Sequence, residues 1–531
     1  MRCRKCLRDE AAFFITGRGH TQVGLCVRCA EGAGILAVLR KVEALLHGFS
    51  GEDAGGAAVG GMEFPLPVAE ACGNCGTTLR EFERGFQFGC AECSDLFASL
   101  VCNYISLFSG DDAALSLYGG KAPHEYGVKK HIQTLQSELR KSIEREDYLR
   151  AARERDRIQK LETGLMEKRR RGLAVLSVKR GRVESARGAD VRRILSEVER
   201  EPAGTALRPW METRVELRRN FSEFLFPPKM DDAHRTFVRE YFLKTVPRKY
   251  IEGKAVVHVE ELAPLERRWL GQRYAGRKLR EGACVVAGPG DGTWFIVNDE
   301  EHVSMVSRSG AGGGRAAVET LGRLHRAVQQ KAEFAFSRRF GYISTSPRNL
   351  GGGADVQAVF HLPFSLCAGR AHLYQSEAER RRLYFDTLSG ACLERHGFFR
   401  LSPYHRLGRT MEETAEEVFS MAEWLTGMEE AAREKEMKKS GAAGRLARRV
   451  LKNAAGAHRL SYQDVLRMAT FIEVGMSVGV VEWEDYSRRR MFLTMTSPYI
   501  QYADGRRYTV NACERRRAEI FSGLIRTSVR W

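Results

Sequence analysis

Eight cysteines arranged as four Cys-x-x-Cys pairs constrain this chain more than anything else in it. The pairs are Cys3/Cys6, Cys26/Cys29, Cys72/Cys75 and Cys90/Cys93, all within the first hundred residues. The other five of the 13 cysteines are scattered singly. A Cys-x-x-Cys turn places two thiolates on one side of a tight loop, and two such turns complete a tetrahedral sulfur shell. Nineteen residues separate Cys6 from Cys26 and fourteen separate Cys75 from Cys90, spans that suit a zinc-ribbon hairpin. In the first span, residues 12–16 and 21–25 read as strands around a Gly-Arg-Gly turn. Two structural zinc ions are therefore expected, one in each ribbon. Catalytic zinc is disfavoured because four thiolates leave no open position. A dithiol redox switch is the lesser alternative.

The chain has 531 residues, enough for several folded units, and 43% of them are apolar. No uncharged apolar run reaches the length of a membrane span. The start, Met1-Arg-Cys-Arg-Lys-Cys6, has no apolar stretch behind its charges, so no secretory signal is read and a cytoplasmic location is expected. Residues 35–46 have helical apolar spacing, and a Gly/Ala-rich stretch at 48–62 reads as a flexible linker. Leu135, Leu139 and Ile143 fall on one helical face; Tyr148, Ala151, Ala152, Ile158 and Leu161 fall on another. A turn at Glu146-Asp147 makes these a helical hairpin able to pair with a copy of itself. Residues 166–206 begin Lys168-Arg-Arg-Arg171 and stay basic, which reads as a solvated tether. The net charge of +18 permits nucleic acid as a partner, but no aromatic residues interleave these charges, so that contact is not favoured.

The string from Leu139 through Glu146-Asp-Tyr148 to Ile158 resembles a UVR motif, a hairpin used for protein contacts. Two four-cysteine ribbons followed by this hairpin resemble the activators of bacterial protein-arginine kinase. The second ribbon, Cys72-Gly-Asn-Cys75 and Gly85-Phe-Gln-Phe-Gly-Cys-Ala-Glu-Cys93, is similar to the corresponding element of that family. From Pro209 onward the chain resembles the phosphagen (guanidino) kinases, above all their protein-arginine kinase branch. The phrases that carry this are Thr213-Arg-Val-Glu-Leu-Arg-Arg-Asn220, Glu260-Glu-Leu-Ala-Pro-Leu-Glu-Arg267 and Asn298-Asp-Glu-Glu-His302. Gly341-Tyr-Ile-Ser-Thr-Ser-Pro-Arg-Asn-Leu-Gly351, His361-Leu-Pro363 and Tyr499-Ile-Gln-Tyr-Ala-Asp-Gly505 follow in the family's order.

The resemblance implies a multidomain α+β protein. It divides into zinc ribbon 1 (1–34), helix and linker (35–66), zinc ribbon 2 (67–105), UVR hairpin (131–166) and basic linker (167–206). A catalytic-type domain (207–430) with an antiparallel sheet flanked by helices follows, then a helical C-terminal extension (431–531). Tethering raises the local concentration of activator and kinase to roughly millimolar, so the N-terminal modules are expected to dock on the kinase-like domain.

A guanidinium has a pKa above about 12, so it attacks phosphorus only where a carboxylate orients it and takes a proton. By the resemblance Glu300 is that base, Asp299 and Glu301 its acidic neighbours, and Ser346 and Asn349 belong to the loop beside it. Arg214, His302 and Arg406 are the nucleotide-binding candidates, with Mg-ATP the implied cofactor of an active enzyme. Phosphoryl transfer rests on positioning and on neutralising charge. Yet three positions where the family places clamping arginines hold Glu216, Ser304 and Asp355. The family's phosphoarginine-reading box stands here as Cys513-Glu-Arg-Arg-Arg517-Ala518, with Arg517 kept, Glu514 in place of the family's aspartate and the first arginine replaced. The reading is a pseudokinase or weakly active regulator of arginine phosphorylation in stress response and protein quality control. The alternatives are an active protein-arginine kinase and a zinc/UVR adaptor contacting nucleic acid or a repair-type complex. Arginine-bearing proteins, Clp-type chaperone or protease components and a second copy of the chain are the implied partners, with no membrane.

Overall fold

The structure is a computed structural model. It describes residues 13–16, 22–25, 71–102, 124–145, 147–177, 189–196, 208–288, 292–310, 312–388, 396–404, 409–438, 441–483 and 486–531. Two units are distinguished: 1–68 with 99–111, and 69–98 with 112–531. In the first unit, β1 (Phe13–Thr16) and β2 (Gln22–Leu25) form an antiparallel hairpin with Phe13 opposite Leu25. Cys3, Cys6, Cys26 and Cys29, and the expected helix and linker at 35–66, lie outside the described residues.

The second unit is organised by an eight-stranded antiparallel sheet. Its strands are β3 (Trp210–Arg219), β4 (Ala255–His258), β5 (Cys284–Ala287), β6 (Thr293–Val297), β7 (Val303–Gly310), β10 (Ala354–His361), β11 (Leu383–Thr387) and β12 (Phe398–Pro403). The spatial order is β11-β12-β10-β3-β7-β6-β5-β4. A separate two-stranded ribbon pairs β8 (Phe336–Ser337) with β9 (Gly341–Tyr342).

Alternation along the strands fills two cores. Phe295 and Val297 of β6 join Val238, Phe242, Leu321 and Val418 in one apolar cluster. Trp294 and Ile296 face the other way and pack with Val257, Val285, Trp269 and Leu270. Full burial of such side chains contributes about 1.5–3 kcal/mol each, so helices are held on both faces of the sheet. The helices Asp232–Thr245, Gly314–Gln329 and Met411–Met437 cover the first face. Thr410 caps the last of these, its hydroxyl accepting from the Glu413 amide while the Glu413 carboxylate accepts from the Thr410 amide.

The second face holds a surprise. Residues 189–195, expected inside a solvated basic tether, form the helix Ala189–Leu195, with Val191, Ile194 and Leu195 buried against Trp269. The Trp269 indole donates to the Leu195 carbonyl at 2.9 Å. Three apolar residues on one helical face outweigh the neighbouring Arg192 and Arg193, which remain exposed. The front of the tether also differs, because the second hairpin helix continues through it to Ser177.

The C-terminal helices Ala442–Ala455, Tyr462–Ser477 and Val510–Ser528 build a third core around Leu451, Leu466, Ile472 and Phe521. A buried polar knot fixes it to the sheet. His361 Nδ1 lies 2.6 Å from Glu473, and Glu473 also takes Arg488 and the Tyr486 hydroxyl. Burial alone would raise the Glu473 pKa, but Arg488 and His361 pull it well below the usual carboxylate range.

The helices His124–Glu144 and Tyr148–Ser177 form the expected hairpin, closed by Ile132, Leu135, Leu139, Ile158 and Leu161. Buried Glu154 accepts from Ser142 at 3.0 Å and from Arg150 at 2.8 Å. Ile143 and Tyr148, assigned by spacing to the packed faces, are instead exposed at the turn beside Leu149. There the helices end, and among the described residues these side chains stay exposed.

Candidate functional site

The second pair of cysteine turns makes a compact metal-type cluster. The sulfurs of Cys72, Cys75, Cys90 and Cys93 all lie within 4.8 Å of one another. Cys72–Cys90 is 3.6 Å, Cys75–Cys93 is 3.3 Å and Cys90–Cys93 is 3.8 Å. Four thiolates about 2.3 Å from a tetrahedral zinc stand about 3.8 Å apart, so the donor set fits that ion. Between the two turns the chain forms a helix, Leu79–Gly85, because Thr78 and Glu81 make a reciprocal cap. Gly89 is required by crowding: a Cβ there would meet Thr77 Oγ1 at 2.3 Å and Cys75 Sγ at 2.8 Å. Phe82, Phe88 and Phe97 stack into the ribbon's own small core.

This ribbon docks on the large domain in the same chain. The Phe226 amide donates to the Gly89 carbonyl at 2.8 Å, and the Phe88 amide donates to the Thr345 carbonyl at 2.7 Å. Lys229 adds an exposed ion pair to Glu81 at 3.2 Å. The second of these backbone bonds lands on the loop 343–350, which borders the acidic turn between β6 and β7.

That turn is shaped by Asn298, whose backbone is left-handed (φ 59°), a conformation that asparagine tolerates better than most residues. Its amide donates to the His302 carbonyl at 3.0 Å, so residues 299–301 project as one group. Asp299 and Glu301 are buried, whereas the Glu300 side chain is 34% exposed. Glu301 Oε2 accepts from the Thr345 amide at 2.7 Å and from Asn220 Nδ2 at 2.6 Å. Burial nevertheless pushes the Glu301 pKa up to about 7, the Thr345 and Asn220 hydrogen bonds opposing it only in part. Asp299 and Glu300 share the guanidinium of Arg277, at 2.5 Å and 3.3 Å.

On β3, Val215 and Leu217 enter the first core, and alternation turns Arg214, Glu216 and Arg218 to the opposite face. Glu216 lies cross-strand from Asp355 of β10. Glu216 Oε2 pairs with Arg214 at 3.0 Å, and Oε1 accepts from Arg218 Nε at 3.0 Å. Arg218 also donates to Asn349 Oδ1 at 3.1 Å and lies 3.8 Å from Asp355. Burial alone would raise the Glu216 pKa, but Arg218 and Arg214 outweigh it and hold it at about 2. Burial works against the Arg218 charge too, and Glu216, Asp355 and Glu300 together raise its pKa.

Of the residues proposed from sequence, Asp299, Glu300, Asn349 and Arg214 converge here, and Ser346 is half-buried on the bordering loop. The Ser346 carbonyl accepts from the Ser344 hydroxyl at 2.7 Å. His302 is fully buried with both ring nitrogens on backbone: Nδ1 accepts from the Phe221 amide and Nε2 donates to the Leu225 carbonyl. Burial pushes its pKa down to about 4. Arg406 lies outside the described residues. Glu514 and Arg517 sit elsewhere, in the C-terminal helices. Glu514 pairs with Arg459 at 2.8 Å. Buried Arg517 donates to the Met495 and Leu460 carbonyls and to Ser497. Sequence reasoning assigned no role to Arg277 or Asn220. Asn220 lay within a quoted phrase, and its side chain holds both Glu301 and the His302 amide.

This chain carries a phosphagen (guanidino) kinase domain joined to a UVR motif and a four-cysteine cluster. Residues 238–432 match the family model for the ATP:guanido phosphotransferase C-terminal catalytic domain, and residues 129–164 match the UvrB/uvrC motif. Among particular relatives, the protein-arginine kinase of Halothermothrix orenii is 23% identical over 320 residues, covering 58% of this chain and 91% of that protein. The protein-arginine kinase of Bacillus mycoides is 22% identical over 326 residues, covering 56% and 91%. A lombricine kinase crystal structure covers 49% of this chain and 74% of its own, at 18% identity and a TM-score of 0.36.

Proposed function

We propose that this protein is a regulator of the arginine-phosphorylation type whose kinase-like domain recognises a guanidinium without efficient phosphoryl transfer. Glu216 carries this reading. A carboxylate fixed between Arg214 and Arg218, and still ionised at every ordinary pH, neutralises cations that a triphosphate would need. Asp355 adds a second negative charge on the same face. Losing one preorganised electrostatic group costs on the order of 10²–10³ in rate, and here several are altered together. The other half of the chemistry is retained: Glu300 is accessible and Asp299 lies beside it.

The activator-like modules belong to the same reading. The second ribbon, fitted for one zinc, donates the Phe88 amide to the Thr345 carbonyl, and the Thr345 amide donates to Glu301 Oε2, so one residue links the ribbon to the site. A second zinc is expected at Cys3, Cys6, Cys26 and Cys29. The exposed apolar turn at Ile143, Tyr148 and Leu149 supports protein contacts, with a second copy or a Clp-type chaperone or protease component as the occupant in a cytoplasmic stress response. Among the described residues no helix is long and apolar enough to cross a membrane. The test is transfer of labelled phosphate from Mg-ATP to an arginine-rich protein. The expected result is little or none. Robust transfer that Glu300→Ala abolishes makes the protein an active kinase instead.

A further inference from the structure

The acidic turn already holds a guanidinium, and it comes from the chain itself. Arg277 Nη2 lies 2.5 Å from Asp299 Oδ2 and 3.3 Å from Glu300 Oε2, the two carboxylates assigned above to an incoming arginine. We propose that Arg277 is an internal occupant of the guanidinium subsite, a specificity-determining residue that an external arginine side chain must displace. This rests on the reading of Asp299 and Glu300 as that subsite.

The surrounding backbone is built to deliver it. Arg277 follows a wide helical turn, Gly271–Ala275, and then Gly276 in the left-handed conformation (φ 71°). A Cβ on Gly271 would meet the Arg277 carbonyl at 2.5 Å, so the segment folds tightly back on itself only because that position is glycine. Three residues further on, the Arg280 amide donates to Asp299 Oδ1 at 2.9 Å. One segment therefore supplies both the guanidinium and a backbone donor to the same carboxylate.

Arg277 is also placed to leave. Its side chain is 32% exposed, against 12% for Arg218 and 4% for Asp299, so water can replace its contacts without opening the core. Burial works against its charge, and Asp299 and Glu300 reverse that and raise its pKa. It stays cationic while bound and competes directly with any guanidinium of the same charge. An occupant present nine-tenths of the time weakens an external ligand about tenfold.

The experiment uses the full chain, with methylguanidine as the probe and methylammonium as the shape control, read by calorimetry and by the shift in thermal midpoint. The expectation is weak methylguanidine binding to the wild type and binding about tenfold tighter to Arg277→Ala, since the internal competitor is gone. The double variant Arg277→Ala/Glu300→Gln loses that gain. Arg277→Lys, which keeps the charge but not the planar fork, falls between wild type and Arg277→Ala. Should Arg277→Ala prove too unstable to titrate, Arg277→Gln is measured in its place. Methylguanidine should raise its thermal midpoint more than it raises that of the wild type. If Arg277→Ala binds no tighter than wild type while Glu300→Gln still weakens binding, the subsite stands and Arg277 does not occupy it. If neither wild type nor Arg277→Ala binds methylguanidine in preference to methylammonium, the guanidinium reading itself falls and takes this proposal with it.

Discussion

Glu216 and Glu301 are both buried glutamates beside the same site, and their surroundings push them in opposite directions. Glu216 sits between two guanidiniums and is held at about 2. Glu301 is held by an amide, a side-chain amide and a hydroxyl, and burial carries it up to about 7. Neutral donors do not offset the loss of water around a carboxylate, whereas two adjacent cations do. On the function proposed above, the cations that stabilise Glu216 are withdrawn from any phosphate, while the turn carrying Glu301 keeps an acidic face toward a guanidinium.

Four changes would break or sharpen this contrast. The largest effect should come from breaking the four-cysteine cluster of the ribbon that bonds the Thr345 loop on the Glu301 side. Cys93→Ser should cost one zinc per chain by metal analysis and detach the ribbon from the Thr345 loop, seen as rapid amide exchange at Phe88 and Phe226. A structural zinc site supplies on the order of 10 kcal/mol of folding energy to its own domain. Retention of two zincs in that variant would remove the ribbon from the account.

Next in size is Glu216→Ala, which leaves Arg218 buried beside a single carboxylate. It should destabilise the domain by about 3–5 kcal/mol in denaturant titration. A loss below about 1 kcal/mol would mean the two arginines are solvated and the clamp was never neutralised.

The pH dependence follows, and its signs differ for the two glutamates. Glu301 is raised from 4.5 to about 7, so the folded state takes up its proton first. Stability should fall as pH rises from about 4.5 to about 7, by about 3 kcal/mol for this group. Glu301→Gln should flatten that fall. Glu216 is lowered from 4.5 to about 2, so its contribution is present above 4.5 and is lost as pH drops toward 2. A Glu301→Gln variant with an unchanged pH profile would contradict the assignment.

The smallest effect is expected from Lys229→Ala. Its pair with Glu81 is exposed, and such pairs contribute little. The two backbone bonds should keep the ribbon docked, with amide exchange at Phe88 unchanged.

Much of this molecule was legible in its sequence, for definite physical reasons. Cysteine spacing fixes sulfur geometry locally, so Cys72, Cys75, Cys90 and Cys93 could be grouped before any fold was known. The phrases Thr213–Asn220 and Asn298–His302 likewise pointed, through the resemblance they carry, to residues that the fold brings together. What escaped was set by long-range contacts. The Ala189–Leu195 helix is short and flanked by arginines, so its apolar face counted for less than its charge until Trp269 covered it. Arg277 belongs to no phrase or period, and only the fold brings it to Asp299. His302, read beside the acidic run as a nucleotide ligand, holds backbone groups of the 221–225 segment with both nitrogens. Any signal for that lay in its apolar neighbours, Phe221, Phe224 and Phe226, which surround the ring.

The central claim is that Glu216 and Asp355 cancel the cations a nucleotide would need. It is tested most directly by titrating Mg-ATP into the full chain by calorimetry at neutral pH. The account predicts no saturable heat at millimolar nucleotide. A saturable micromolar isotherm, with Arg214 and Arg218 required for it, would contradict the account outright.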